Sequence, residues 1–331
     1  MNEHIPFQTP NLVWDSTIAI YLFLLGISSG AVQLAIAYRN SFKIEKPSEN
    51  WMIRSAAILG TIPTLIGLTL LVFHLTKPWT FWKLMFNYNG TSVMSMGVML
   101  FQAYMAVLVV WIAIMFKDWL AVLINRYLPM FKFVLPWIDF AESKLLKPIE
   151  FVLFTFAAVL GAYTGFLLSA LISYPMLNNP VLPALFLASG TSSGIAATFL
   201  MILIAGKLSG DSKEVHFIHK FEVPIMVTEL GLLVAFFVGL HFGGADKQLA
   251  LHNALTGTWG MVFWVGVFLI GILIPLIANL FGSHTVKYSP KFIILVSIFD
   301  LIGVFCLRFF ILYAGQLTLS LIHISEPTRP Y

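Results

Sequence analysis

Charge is what this sequence has least of. Asp, Glu, Lys and Arg make up 10% of its 331 residues, while 59% are hydrophobic. An ordinary soluble domain carries roughly 25% charged residues, and a water-soluble fold of this length cannot cover its surface with so few. Lipid removes that requirement, because it solvates an apolar exterior. The composition is therefore that of an integral membrane protein, with the lipid bilayer as its first partner. Cysteine is nearly missing too. The lone Cys306, set in an apolar run, excludes an intrachain disulfide, a four-cysteine iron–sulfur cluster and the CxxCH site of a c-type haem. A basic n-region with a short apolar core and a cleavage site is also lacking. The polar start runs directly into a full-length apolar stretch, so no cleaved signal peptide is expected. The net charge of +4 is dispersed over the connections, and no nucleic-acid partner is expected.

What is present is a series of long apolar runs. Eight stretches reach the roughly 20 residues that a span needs: about 17–38, 53–75, 91–116, 149–172, 181–205, 222–242, 256–280 and 290–315. Most connections are short. The segment 117–148 differs, mixing Trp119 and Trp137 with Lys and Arg and carrying Pro129 and Pro136. It reads as one or two helices lying in the membrane interface. The last stretch, 319–331, resembles the translation of a sequencing-library adapter and is read as an artefact.

The basic residues are strongly one-sided. One set of connections holds Arg39, Lys43, Lys46, Arg54, Lys117, Arg126, Lys132, Lys144, Lys147, Lys207, Lys213, Lys220, Lys287 and Lys291; the other holds Lys77, Lys83 and Lys247. The positive-inside rule then puts both termini on the periplasmic side. The sequence also echoes itself. Gly26-Ile27-Ser28-Ser29-Gly30 in the first span matches Gly190-Thr191-Ser192-Ser193-Gly194 in the fifth, and Leu70-Leu71-Val72 matches Leu232-Leu233-Val234. Each glycine pair alone is an ordinary close-packing device. Together they are best read as an internal repeat, two parallel four-helix bundles at 1–172 and 173–318.

An ionisable residue inside a span costs at least a few kcal/mol and needs a reason. Asp15 and Tyr21 of the first span, His74 at the end of the second and Tyr163 of the fourth all fall in the outer half of the membrane. A quinone headgroup needs such a set: hydrogen-bond donors for its oxygens and a base for the protons released on oxidation. The following connection carries Trp79, Trp82 and Lys83 and either shapes a loop beside this cluster, with Trp79 and Lys83 joining Tyr163 and Tyr21 in binding the quinol, or forms an aromatic belt with snorkelling lysines. In the second half, Glu222, Glu229, Asp300 and Arg308 are either a proton path or a buried network that fixes helix packing. No metal ligand set stands out. Among the histidines, His74 and His241 alone fall at similar depth, which argues against a di-haem site.

Blocks longer than any three-residue pattern carry a family resemblance. They are Val13-Trp14-Asp15 with Ile18-Ala19-Ile20-Tyr21; Leu71-Val72-Phe73-His74-Leu75-Thr76; Thr91-Ser92-Val93-Met94-Ser95-Met96-Gly97; Gly161-Ala162-Tyr163-Thr164-Gly165; and Arg308 through Gln316. On these the protein resembles the NrfD/polysulfide reductase membrane-subunit family, in its formate-dependent nitrite reductase branch. The resemblance implies eight spans in two bundles with periplasmic termini and no covalently bound cofactor. It also implies menaquinol (menaquinone when oxidised) as substrate, and electron transfer to a periplasmic ferredoxin-like subunit with 4Fe–4S clusters and onward to a multihaem cytochrome c. Tyr163 matches the tyrosine that the family places at the quinone, whereas Tyr21 stands where the polysulfide reductase subunit has a histidine. From another class, a secondary transporter or proton-translocating subunit also accommodates repeats and buried carboxylates.

With no ligand set for a metal centre, the purified subunit should be colourless. A Soret band that survived purification and vanished in His74→Ala or His241→Ala would contradict this.

Overall fold

The computed structural model describes residues 14–42, 44, 46–75, 77–206 and 213–318, the side chains of 284 and 285 excepted. The adapter-like segment 319–331 lies outside the described residues, as do Lys43 and Lys207. Among the described residues there is no β-strand, and eight helices are long and apolar enough to cross a membrane. They are α1 (Ser16–Ser41), α2 (Trp51–His74), α3 (Val93–Met115), α4 (Leu146–Ser169), α5 (Leu182–Ile204), α6 (Lys213–His241), α7 (Thr258–Phe281) and α8 (Pro290–Gly315).

The starts are set by local chemistry. Asp15 caps α1 by accepting from the Thr17 N–H, Asn50 caps α2, Ser92 caps α3, and Ser289 caps α8 ahead of Pro290, each satisfying an orphan donor of the first turn. The largest departure from the expected limits is α6, which begins at Lys213 rather than near Glu222. Val215, Phe217 and Ile218 are buried there, but they alternate with Lys, Glu and His, so average hydropathy conceals the helix. A second departure is the helix Ala245–Thr256 between α6 and α7. It consists of good helix formers, is too short to span, and buries Ala250 and Ala254 one turn apart.

The segment 117–148 is helical, as expected, in two pieces. Lys117–Tyr127 comes first; tight turns over Pro129–Val134 then lead into Leu135–Phe140, whose course continues through wide turns into α4. Lys117 bonds Glu142 and lies 3.5 Å from Asp139, and the Glu142 bond holds its ammonium above the usual lysine range.

The core is organised around α1. In its most apolar stretch 83% of residues are buried, against 61% for α5 and less in every other span. It packs on α2, α4, α5 and α8. Small residues permit this. A Cβ added to Gly26 would lie 3.2 Å from the Gly190 Cα, and one on Gly190 would lie 3.1 Å from the Gly26 Cα. A Cβ on Gly30 would strike the Gly190 carbonyl, and one on Gly194 the backbone of Gly30. The two echoing motifs thus pack directly on each other. Beside them, Ser28 Oγ donates to the Gly60 carbonyl at 2.7 Å and meets Tyr104 Oη at 2.9 Å, tying α1 to α2 and α3.

The start of α1 and the end of α8 share one face, here the terminal face. The Gln316 side chain accepts from the Trp14 N–H at 3.1 Å and donates to the Trp14 carbonyl at 3.0 Å. The opposite, lysine-rich face holds the ends of α1, α3, α5 and α7 and the starts of α2, α4, α6 and α8.

Gly30→Ala and Gly194→Ala should each lower stability by about 1–3 kcal/mol, the usual cost of overpacking, read as a drop in melting temperature in detergent. Gly231→Ala, where an added Cβ meets nothing within 4 Å, should hold or raise it. Melting of Gly30→Ala at the wild-type temperature would show that the helices do not cross there.

Candidate functional site

At the terminal face the structure brings the expected residues together in two tiers. The upper tier is Asp15 with His74. One Asp15 oxygen accepts from the Thr17 N–H at 2.9 Å, and the other lies 3.7 Å from His74 Nδ1. That separation is an electrostatic pairing rather than a direct hydrogen bond. Both side chains are partly exposed, 50% for Asp15 and 33% for His74, so the pair is open on one side. A carboxylate facing Nδ1 favours the tautomer that leaves Nε2 as the proton acceptor.

The lower tier is Tyr21 with Tyr163, about 9 Å further along α1, six residues at 1.5 Å each. The two phenols are electrostatic neighbours, and both are buried. Tyr21 packs 6.1 Å from the Phe101 ring and against Gly67 of α2. Tyr163 Oη donates to the Val93 carbonyl at 3.0 Å, bridging α4 to the first turn of α3. Gly97 is required here, since any Cβ at that position would collide with the Tyr163 ring and hydroxyl. A buried donor is thus held in place by a bond to a carbonyl, from which a ligand oxygen can compete it away.

Trp79 and Lys83 are placed differently. They belong to an exposed stretch over 77–92 in which Trp79 is 72% exposed and Lys83 Nζ lies 5.7 Å over the Trp82 ring. This exposed aromatic surface adjoins the end of α2.

The second group forms a buried string through α5, α6 and α8. Glu222 is bonded to His219 Nδ1 at 2.7 Å. Asp300 accepts from Ser192 Oγ at 3.0 Å and feels the charges of Glu229 and Glu222. Glu229 in turn feels Arg308. Arg308 is fully buried; its Nη2 donates to the Phe186 carbonyl at 3.2 Å and its Cζ lies 3.8 Å over the Phe186 ring. Among the described residues, its direct contacts are therefore a carbonyl and an aromatic face rather than a carboxylate. Arg308 Nε and Nη1 have no hydrogen-bond partner there.

Sequence reasoning missed a third cluster. At the lysine-rich face Arg39 Nη1 reaches both Glu150 oxygens at 2.7 Å, and Trp111 Nε1 donates to Glu150 at 3.2 Å. Glu150 is almost wholly buried. The signal was a carboxylate near the start of the fourth span, a place where charge is common and draws no notice. Two cavities, of about 350 and 370 Å³, also lie at this face around the start of α6; neither is lined by the residues of the terminal-face tiers.

The buried Arg39–Glu150 pair generates its own test. Glu150→Gln leaves a guanidinium short of its counter-ion and should destabilise the subunit by about 3–5 kcal/mol, seen as reduced melting temperature and yield. Unchanged melting would mean the pair is solvated rather than buried.

Comparison with known proteins places this architecture. A family model described as "Polysulphide reductase, NrfD" matches residues 4–320. The sequence is 75% identical to the "Protein NrfD homolog" of Haemophilus influenzae, over 96% of its own length and 98% of that protein. It is 46% identical to "Protein NrfD" of Escherichia coli, covering 97% and 100%. To the C subunit of polysulfide reductase from Wolinella succinogenes it is 39% identical, covering 93% and 96%. With eight apolar helices in hand, the protein belongs to the NrfD/polysulfide reductase family and is a quinol-interacting, multi-pass subunit of a respiratory complex in the bacterial inner membrane.

Proposed function

We propose that the subunit oxidises menaquinol at its terminal face and that this face is periplasmic. The observation that carries the reading is the two-tier arrangement: a water-facing Asp15–His74 pair above two buried phenols contributed by helices that converge on α1. Oxidation of one quinol to quinone releases two protons and two electrons. His74 Nε2 accepts the two quinol protons one after the other, Asp15 supports the imidazolium each time, and the pair passes each proton outward before the next. Tyr163 and Tyr21 orient the ring by hydrogen bonding to its oxygens. Trp79 and Lys83, on the exposed aromatic stretch beside the end of α2, form a docking surface for the electron acceptor.

That acceptor is proposed to be a ferredoxin-like periplasmic subunit with 4Fe–4S clusters, which hands electrons to a multihaem cytochrome c for reduction of nitrite to ammonia. Identity to proteins named NrfD, at 75% and 46%, exceeds the 39% to the polysulfide reductase C subunit; this supports nitrite over a sulfur compound as the final electron acceptor. The division into bundles 1–172 and 173–318 is part of the same reading, with α1 and α5 as equivalent helices. A second reading, a proton-translocating subunit, rests on the Glu222–Glu229–Asp300 string; the bonds of Glu222 to His219 and of Asp300 to Ser192 favour a packing role for those two carboxylates instead.

Losing one hydrogen bond to the ring costs about 0.5–1.5 kcal/mol, so Tyr163→Phe should weaken quinol binding by up to roughly tenfold. Losing the proton acceptor costs roughly 10²–10⁴ in rate, so His74→Ala should slow turnover in an assembled complex. Reduction of the partner's clusters at the wild-type rate by both variants, at limiting quinol, would move the site elsewhere.

A further inference from the structure

The cavity of about 350 Å³ at the lysine-rich face is lined by His216, His219, Lys220, Asn279, Lys287 and Tyr288. Three elements build it: the first two turns of α6, the last turn of α7 and the short helix before α8. Its volume falls within the range of small-molecule sites, about 300–1,000 Å³. Its chemistry is one-sided. Lys220 and Lys287 bring two ammonium groups, and among the described residues Lys287 Nζ makes one long bond, 3.5 Å, to the Leu280 carbonyl. Tyr288 stands between the two imidazoles, with ring centroids 4.6 Å from His216 and 5.2 Å from His219.

Two polar atoms here have no partner among the described residues. Asn279, 4% exposed, presents an Nδ2 with no hydrogen-bond acceptor, and the buried His219 Nε2 is likewise unmatched. Glu222, the carboxylate bonded at this site, is occupied by His219 Nδ1 at 2.7 Å and does not reach round to the other ring nitrogen. Native proteins rarely leave a buried amide donor unpaired without a water, ion or ligand to receive it. An acceptor with several oxygens and negative charge fits this lining.

A second cavity of about 370 Å³ adjoins the first, sharing His216 and Lys220. It adds Lys213 and the apolar side chains of Phe42, Phe217 and Phe221. A cationic pocket that continues along an aromatic wall suits a charged group attached to an apolar body. Basic pockets between spans on the positive side of a membrane protein are where anionic headgroups bind.

We propose that these adjoining cavities form a binding site for a phosphate-bearing anion. Lys220, Lys287 and Asn279 donate to its oxygens, and the headgroup of an anionic phospholipid of the phosphatidylglycerol type supplies it. The ligand bridges α6 to the α7–α8 turn and completes the hydrogen bonding of Asn279. The site lies at the face opposite the quinol site and does not depend on it.

The test uses the intact subunit, stripped of lipid in a neutral detergent. Thermal unfolding is followed by tryptophan fluorescence with added phosphatidylglycerol, phosphatidylcholine or inorganic phosphate, chloride serving as the ionic-strength control. Phosphatidylglycerol should raise the melting temperature by several degrees more than phosphatidylcholine and remain bound as an adduct in native mass spectrometry. The Lys220→Gln/Lys287→Gln double variant and Asn279→Leu should lose that difference, whereas Lys132→Gln, on an exposed segment, should keep it. Protection by inorganic phosphate equal to that by phosphatidylglycerol would support the phosphate site and name the free anion as its occupant. Equal effects of the two lipids in the wild-type protein, with no response to phosphate beyond chloride, would overturn the proposal whether or not the variants fold.

Discussion

The close crossing of α1 and α5 at Gly26, Gly30, Gly190 and Gly194 is the constraint on which the rest depends. Between helices in a membrane there is little hydrophobic driving force, because lipid tails are as apolar as leucine; packing contacts and interhelical hydrogen bonds must hold them. Bringing two backbones together without side chains maximises both. It allows α1 to sit at the centre, touching α2, α4, α5 and α8. It also sets the position of each functional group along the membrane normal. Asp15 and Tyr21 ride on α1, the Phe186 carbonyl that holds Arg308 and the Ser192 hydroxyl that holds Asp300 ride on α5, and Arg308 Nη2 lies against Gly26. A shift of one turn at the crossing would displace all of them by about 5.4 Å.

Much of this was legible in the residues. Low charge and long apolar runs are enough to place a protein in lipid, and all eight spans follow from length alone. The glycine motifs were visible as a pair, but their mutual packing was not. Sequence shows that Gly26 and Gly190 resemble each other, and contact between them depends on how distant helices assemble. The same limit hid the bond between Tyr163 and the Val93 carbonyl and the need for glycine at 97. Where pattern and environment disagree, reading fails for a different reason. The first turns of α6 look like a polar loop because Lys, Glu and His outweigh Val215, Phe217 and Ile218 in any window average. Glu150 looks like an ordinary charge at a span end until Arg39 and Trp111 close over it. Sequence left the partner of Arg308 open, because a planar guanidinium can lie on a ring face and bond a carbonyl as well as meet a carboxylate.

The two faces of the molecule divide the chemistry. The terminal face carries a partly exposed acid–imidazole pair above buried phenols, next to exposed aromatics. The lysine-rich face carries buried ion pairs and basic cavities, features that anchor helices and receive anions. If quinol is held at the terminal face and its electrons leave to a partner docked there, as proposed, proton release and electron exit belong on one side. That coupling is the central claim. Its most direct test is the sidedness of proton release: the assembled complex is reconstituted into vesicles of known orientation, menaquinol turnover is started, and pH is followed by dyes in both compartments. The account predicts prompt acidification on the side of the termini, abolished or slowed in His74→Ala. Protons appearing first on the lysine-rich side would contradict it.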